Sequence, residues 1–274
     1  MDNKKRTAIQ VIATIIQNAN FKGFFTGKIY QGQTKQVCVP GLNCYSCPGA
    51  VGSCPIGALQ NSLSSMRFRF PYYVLGLLIF FGALLGRAVC GFLCPFGLVQ
   101  DILYKIPFVK KIKTWKGERW LRYLKYVVLV VFVIVLPITY KLIPFFCKYI
   151  CPSGTVAGLL LAAADNSLFA MFGTLFSLKF VILVAVIIAS IVIYRPFCKY
   201  LCPLGAFYAP FNKVSLVQMK RDEDRCVGCK ACASVCDMGV DPSKDLNSLE
   251  CIRCGKCCRS CSANALKITT VFSK

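Results

Sequence analysis

The cysteines of this 274-residue chain are the residues whose type and spacing could do chemistry. The chain has 19 cysteines and no histidine. Two runs have the spacing C-x2-C-x2-C-x3-C, the pattern that holds a pair of [4Fe–4S] clusters. They are Cys226, Cys229, Cys232, Cys236 and Cys251, Cys254, Cys257, Cys261. Thiolates select iron–sulfur clusters or zinc, and the lack of imidazole excludes bis-histidine haem, so no haem is expected.

The fourth cysteine of each run determines how the two clusters would be shared. In two-cluster ferredoxins it ligates the other cluster. This precedent predicts one ligand set of Cys226, Cys229, Cys232 and Cys261, and a second of Cys251, Cys254, Cys257 and Cys236. A structural zinc ribbon could use the same thiolates, but it seldom combines three close thiols with a fourth at this offset.

A second cysteine motif, C-x3-C-P-x-G, occurs three times, each time after an apolar block. The copies begin at Cys90, Cys147 and Cys198. Cysteines four apart lie on one face of a helical turn, so each copy offers two thiolates, half of what a cubane needs. We expect Cys90, Cys94, Cys198 and Cys202 to form a cluster site at the inner membrane boundary. The alternative is that these cysteines are reduced and packed as small apolar residues.

A loop rich in glycine and proline carries Cys38, Cys44, Cys47 and Cys54. Four thiols suffice for a cluster, and they also suffice for two disulfides on an oxidising outer face. Cys147 and Cys151 could complete either arrangement. The ending Cys54-Pro-Ile-Gly matches the repeated motif and favours a cluster. Cys258 is left over beside Cys257 and is interpreted as a spectator.

Apolar blocks predict a membrane protein. Apolar residues make up 56% of the chain, and the mean hydropathy is +0.59. Residues 70–86, 126–140 and 180–194 lack charges and predict three transmembrane helices. Residues 7–21 predict a retained first span rather than a signal peptide. Residues 155–178 predict an interfacial or re-entrant helix, because a carboxylate such as Asp165, next to Asn166, costs at least about 2.5 kcal/mol at the bilayer centre.

Basic residues predict the topology. The loop after the span at 70–86 is dense in Lys and Arg, which indicates a cytoplasmic location. Alternation then places both termini in the cytoplasm and the segment around residues 22–69 outside. The formal charge of +22 counts every cysteine as neutral, whereas metal-bound thiolates are negative. With no recognisable module for it, no nucleic-acid partner is expected.

The predicted fold is a membrane α-helical protein with about four transmembrane helices plus an interfacial helix, followed by a small α+β two-cluster bacterial-ferredoxin-like domain. The predicted divisions are residues 1–25, a first transmembrane helix; 26–68, an extracytoplasmic Cys-rich segment; 69–212, a membrane domain with three C-x3-C-P motifs; and 213–274, a cytoplasmic ferredoxin domain.

In combination, these features resemble the NapH/MauN-type membrane ferredoxins, which are related to NosR-type and CcoG-type proteins. The resemblance covers about residues 70–265. It implies a membrane-bound electron carrier with four spans that couples quinol or a cytoplasmic reductant to an extracytoplasmic acceptor. Two features depart from the pattern. The outer cysteine segment and the motif at Cys147 are additions, and Asp237 and Ser262 follow the fourth cysteines where bacterial ferredoxins usually have proline.

The expected function is therefore a one-electron relay within the membrane rather than stand-alone enzyme chemistry. The donor would be the quinol pool or a cytoplasmic ferredoxin or reductase, and the acceptor an extracytoplasmic redox protein. Two [4Fe–4S] clusters are expected, three or four are possible, and quinone is a possible further cofactor. The alternatives are a membrane thiol–disulfide or metal-ion reductase that uses the outer cysteines, and a redox-sensing or assembly factor. Two clusters at opposite boundaries would be separated by a hydrocarbon core of about 30 Å.

Overall fold

The computed structural model describes residues 3–65, 70–107, 110–115, 117–164 and 173–271. The chain is mostly helical over these ranges. The helices are α1 Asn3–Gln17, α2 Phe21–Thr26, α3 Pro55–Ser64, α4 Tyr72–Leu85, α5 Ala88–Phe92, α6 Pro95–Tyr104, α7 Glu118–Thr139, α8 Pro152–Ala164, α9 Thr174–Val192, α10 Pro196–Tyr200, α11 Pro203–Tyr208, α12 Ala231–Ser234 and α13 Lys256–Arg259. The strands are β1 Val217–Arg221 and β2 Leu266–Thr270.

Four of these helices begin with the same local sequence. α3, α6, α8 and α11 each start at a proline that directly follows a cysteine. Proline fixes φ near the helical value and lacks the N–H that would be unpaired at a first helical position. It also pushes the preceding residue into an extended conformation, and all four cysteines have ψ between 111° and 127°. The Cys-Pro step therefore turns the chain sharply and places a sulfur at the start of each helix.

Within the described residues, two helices are long and apolar enough to cross a membrane. They are α7, with 22 residues, and α9, with 19 residues, and only 22% and 17% of their most apolar windows are buried inside the protein. α4 has 14 residues, which corresponds to about 21 Å and falls short of a hydrocarbon core of about 30 Å. The prediction of about four transmembrane helices is therefore not confirmed.

Helix α1, where a first span was predicted, is amphipathic. Arg6, Gln10 and Gln17 are buried against the protein, whereas Ile12 and Ile16 are exposed. The helix packs along α5 and α6. The predicted interfacial helix at 155–178 is represented by α8 and the start of α9, but Asp165 and Asn166, on which that prediction depends, lie outside the described residues.

The C-terminal part is a small α+β unit. β1 and β2 pair antiparallel, with Met219 opposite Ile268. Met219, Cys257 and Leu266 form its small core. This unit sits directly on the helical part of the chain: the Ile252 carbonyl lies against Gly91, and a second contact joins the Arg253 guanidinium to the Leu85 carbonyl at 3.0 Å.

Candidate metal centres

The C-terminal unit contains two cavities lined by cysteines. One is lined by Cys226, Cys229, Cys232 and Cys261. The other is lined by Cys236, Cys251, Cys254 and Cys257. Each cavity thus combines three cysteines of one run with the fourth cysteine of the other run. Because α12 and α13 pack against each other, the two runs cross between the cavities.

Each cavity is bordered by four cysteines, the number of thiolates that holds a [4Fe–4S] cluster. Over the described ranges, no three Cys, Asp or Glu side chains converge closely enough to ligate one metal ion. A tetrahedral zinc site needs sulfurs about 2.3 Å from a common point. The cysteines instead border a volume, and a [4Fe–4S] cubane, which is larger than an ion, requires ligands placed in that way.

A third group of cysteines, which we call the proximal site, lies in the helical part and consists of Cys90, Cys94, Cys198 and Cys202. All four are buried. Burial raises the pKa of each thiol, and the charge of at least one other cysteine of the group raises it further. Helices α5 and α6 contribute the first pair, and α10 and α11 the second. The structure thus brings together the two motifs that the sequence paired.

The sulfurs of the proximal site accept hydrogen bonds from the protein. The Gln100 amide donates to Cys198 Sγ at 3.1 Å, and the Gly205 backbone N–H donates to Cys202 Sγ at 3.4 Å. Burial raises the pKa of the Cys198 thiol to about 11. Such donors stabilise a thiolate and tune the potential of a cluster that it binds.

Two buried arginines connect the two cysteine motifs of the proximal site. Arg87 and Arg195 each lie three residues before the first cysteine of a motif, and both are fully buried. The Arg87 guanidinium donates to the Cys198 carbonyl at 3.2 Å. Reciprocally, the Arg195 guanidinium donates to the Cys90 carbonyl at 2.5 Å. Each arginine therefore ties its own motif to the partner motif.

Cations outnumber anions around the proximal site. Three carboxylates each bind two cations: Asp101 binds Arg6 and Arg195, Glu250 binds Arg87 and Lys125, and Glu118 binds Arg122 and Lys199. Burial would raise the pKa of Glu250, but the charges of Arg87 and Lys125 lower it below its usual range. Six cations thus surround three carboxylates, and a buried excess of positive charge is unfavourable without an anion nearby.

The structure groups the remaining cysteines differently from the sequence-based ligand set. Cys44 and Cys54 lie close to Cys147 and Cys151. Burial raises the pKa of both Cys54 and Cys151 to about 12. We call these four residues the distal site.

The other three cysteines are Cys38, Cys47 and Cys258, of which Cys47 lies beside Cys44. Cys38 is buried in a short bridge with Ser53. Cys47 follows a turn in which its N–H donates to the Cys44 carbonyl at 3.1 Å. Cys258, beside Cys257, borders a cavity between the C-terminal unit and the helices.

Several residues that build these sites were not predicted from the sequence. Asp101 and Glu250, which hold the buried cations, and Gln100, which donates to sulfur, were not singled out. Lys125 was assigned to a basic cytoplasmic loop, yet it is fully buried and paired with Glu250. The available signal was the arginine that lies three residues before Cys90 and before Cys198.

Comparisons with known proteins agree with this chemistry. A family model described as a 4Fe-4S binding domain matches residues 70–115, 124–164 and 168–222. A second 4Fe-4S binding domain model matches residues 219–240. No solved structure matches the chain.

Three curated relatives span most of the chain. An uncharacterized protein of Methanocaldococcus jannaschii is 34% identical over 195 residues, which are 70% of this chain and 75% of that protein. The putative electron transport protein YccM of Escherichia coli is 27% identical and covers 78% of this chain and 62% of its own length. The ferredoxin-type protein NapH of Haemophilus influenzae is 28% identical and covers 72% of this chain and 67% of its own length.

Fold, cysteine sites and matched domains together define an iron–sulfur electron-transfer protein with apolar helices suited to a membrane. The resemblance seen in the sequence is confirmed: the chain belongs to the NapH/MauN-type 4Fe-4S ferredoxin family.

Proposed function

We propose that this protein relays single electrons within a membrane, between a quinol pool or cytoplasmic reductant on one side and an extracytoplasmic redox protein on the other. The observation that carries the proposal is the excess of buried cations between the C-terminal cysteines and the proximal site. A bound [4Fe–4S] cluster supplies reversible one-electron exchange and negative charge. The chain supplies the thiolates and the positive surroundings for that charge.

The ligand sets that we propose follow the cavities and the proximal site. Cys226, Cys229, Cys232 and Cys261 would hold the first cluster, and Cys251, Cys254, Cys257 and Cys236 the second. Cys90, Cys94, Cys198 and Cys202 would hold the third. The buried N–H donors around these sulfurs fit thiolates rather than packed neutral thiols.

The second C-terminal cavity and the proximal site share a short structural connection. Arg87 contacts both Glu250, next to Cys251, at 2.7 Å and the Cys198 carbonyl at 3.2 Å. Ile252, between two cysteines of the second cavity, packs on Gly91, next to Cys90. Arg87 and this backbone contact therefore hold the two cysteine groups close together, which supports a direct passage of electrons between them.

Replacing Cys198 by serine tests this proposal. The anaerobically purified full chain is placed in liposomes, reduced by dithionite from outside, and its electron delivery to a quinone or to a trapped acceptor dye is followed. We expect Cys198→Ser to lose the electron paramagnetic resonance signal of one centre and at least 10-fold of the delivery rate, because the proximal site is interrupted. Cys258→Ser is the matched control and should leave both unchanged. Undiminished delivery in Cys198→Ser, with the centre lost, would contradict the relay and favour a sensing role.

A further inference from the structure

The distal site reproduces the proximal site in its local structure. Four Cys-Pro-x-Gly segments begin at Cys54, Cys94, Cys151 and Cys202, and in the last of them the Gly205 N–H donates to Cys202 Sγ at 3.4 Å. Two of these segments belong to the proximal site and two to the distal site. Each of these cysteines therefore places its sulfur at the start of a helix that begins with proline.

A glutamine completes the correspondence between the two sites. Gln60 lies six residues after Cys54, just as Gln100 lies six residues after Cys94. The Gln100 carbonyl accepts from the Phe197 N–H at 3.2 Å, while its amide donates to Cys198 Sγ at 3.1 Å.

In the distal site, Gln60 makes the same two bonds to the corresponding residues. Its carbonyl accepts from the Phe146 N–H at 3.0 Å, and its amide donates to Cys147 Sγ at 3.5 Å. Gln60 and Gln100 are both buried. The two sites therefore share a buried amide that joins a Cys-Pro helix to the first cysteine of a C-x3-C-P motif.

The fourth thiol of the distal site is that of Cys44. It approaches from the loop and takes the place that Cys90 occupies in the proximal site. An ideal Cβ on Gly154 would lie 4.0 Å from Cys44 Sγ. Burial raises the pKa of Cys54, Cys147 and Cys151, and the charge of Cys44 raises it further. Cys38 has no such neighbour: burial alone raises its pKa.

Positive charge also accompanies the distal site. Lys35 is buried near Cys44 and Cys47, and its ammonium donates to the Ala50 carbonyl at 2.6 Å. Burial raises the pKa of Cys44, Cys147 and Cys151, and the positive charge of Lys179 opposes that rise. No carboxylate among the described residues forms a salt bridge with either lysine, so the charge around these thiols favours an anionic occupant.

We propose that Cys44, Cys54, Cys147 and Cys151 bind a fourth [4Fe–4S] cluster, with Gln60 as a positioning residue that donates to one of the ligating sulfurs. Cys44 and Cys54 lie outside the residues that the family models match. The proposal extends the relay by one centre but does not depend on its direction, donor or acceptor. It also replaces Cys38 and Cys47 as ligands by Cys147 and Cys151, the pair from the second copy of the C-x3-C-P-x-G motif.

The distal and proximal sites are neighbours. Gly41 packs against Cys94, since an ideal Cβ on Gly41 would lie 2.9 Å from Cys94 Cα. Cys44 follows three residues later, a stretch of chain that spans at most about 11 Å. Burial raises the pKa of Tyr208. Cysteines of both sites raise it further, namely Cys90, Cys94 and Cys202 of the proximal site and Cys54 of the distal site. A cluster at the distal site would thus continue the series of centres without a gap the width of a bilayer.

Iron and acid-labile sulfide in the anaerobically reconstituted full chain test the proposal. We expect about 16 iron atoms per chain, since each cubane holds about four. Cys54→Ser and Cys147→Ser should each lose about one quarter of the iron and one paramagnetic centre. Cys38→Ser and Cys47→Ser, the matched controls from the same loop, should lose none.

Two further measurements keep the test independent of folding defects in the variants. Gln60→Leu should retain all iron but shift the spectrum of the centre that Cys54→Ser removes, whereas Gln100→Leu should shift that of the proximal site. About 12 iron atoms in the unmodified chain, with Cys44, Cys54, Cys147 and Cys151 found as disulfides by alkylation and mass spectrometry, would overturn the proposal. Loss of the same quarter of iron in Cys38→Ser or Cys47→Ser would also overturn it.

Discussion

Arg87 and Arg195 show how single residues prepare the proximal site for negative charge. Each is fully buried, and each bonds a carboxylate and a cysteine carbonyl of the partner motif. Long, always charged guanidinium groups suit this task because they make several directed hydrogen bonds at once. Arg195 also has a positive φ of 49°, a strained conformation for a non-glycine residue that its bonds to Asp101 hold in place.

Arg87→Gln should lower the midpoint potential of the proximal centre. As a general scale, a unit charge at a separation of about 7 Å and an effective dielectric constant of about 20 contributes about 2 kcal/mol, or about 100 mV for one electron, and a charge compensated by a carboxylate contributes less. Removing it disfavours reduction, so the potential should fall by tens of millivolts. Redox titration followed by electron paramagnetic resonance measures the shift.

The control for this prediction is Arg119→Gln, which makes the same charge change on an exposed side chain. Solvent screening should leave the potential unchanged there. If Arg87→Gln keeps its iron and its potential equals that of the unmodified protein, the electrostatic role of Arg87 is wrong.

Among the elements, α5 carries the contact between the two parts of the molecule. Gly91 lies in the middle of α5, between Cys90 and Cys94, and faces the Ile252 carbonyl. An ideal Cβ on Gly91 would lie only 2.6 Å from that oxygen. Since the obstructing atom belongs to the backbone, a side chain here must move α5 or the C-terminal unit.

Gly91→Ala should therefore separate the second C-terminal cavity from the proximal site while leaving all ligating cysteines in place. We expect unchanged iron content and slower electron transfer between the two centres, measured by freeze-quench spectroscopy after rapid reduction. Gly76→Ala in α4 is the matched control, because its Cβ would meet nothing within 4 Å. Equal transfer rates in the two variants would show that this contact does not set the rate.

The sequence predicted those parts of the sites that depend on short spacing. The C-x2-C-x2-C-x3-C runs and the paired motifs at Cys90 and Cys198 gave ligand sets that the structure brings together. The distal grouping was left open, because Cys147 and Cys151 could complete either arrangement of the outer cysteines. Their contact with Cys44 and Cys54, about a hundred residues earlier, depends on tertiary packing. The glutamine six residues after Cys54 and Cys94 was a usable signal that spacing between cysteines alone did not reveal.

Helix length and burial explain the differences in the membrane part. The charge-free block at residues 70–86 contains a helix of only 14 residues because Gly86, with a φ of 53°, ends α4. Residues 7–21 were predicted as a span from their apolar residues, but Arg6, Gln10 and Gln17 turn inward to bond Asp101 and the carbonyls of Cys94 and Leu93. Sequence hydropathy cannot distinguish a lipid-facing residue from one that packs on a neighbouring helix.

At the scale of the whole molecule, the length of α1 gives the spacing between the C-terminal unit and the segment that carries the distal cysteines. Its first turn holds Arg6, which bonds Asp101 at 2.9 Å. Arg6 also lies near enough to Cys254 of the C-terminal unit for their charges to interact. Its end holds Gln17, whose carbonyl accepts from Val51 and Asn43 of the distal segment. Eleven residues of helix correspond to about 17 Å, roughly half the hydrocarbon core. Along α1, the C-terminal unit and the distal segment are therefore separated by less than the thickness of a hydrocarbon core.

Since Arg6 lies beside the C-terminal unit, the N-terminus and the C-terminal domain should lie on the same side of the membrane. The positive-inside rule makes that side the cytoplasm. Epitope tags at both ends should be digested together by protease in sealed inside-out vesicles and both be protected in right-side-out vesicles. The Arg6–Asp101 pair is maintained only if α1 stays on the face that carries α5 and α6. Opposite protection of the two tags would therefore require α1 to leave its buried contacts with Cys94 and Leu93, and would contradict the arrangement of the whole molecule.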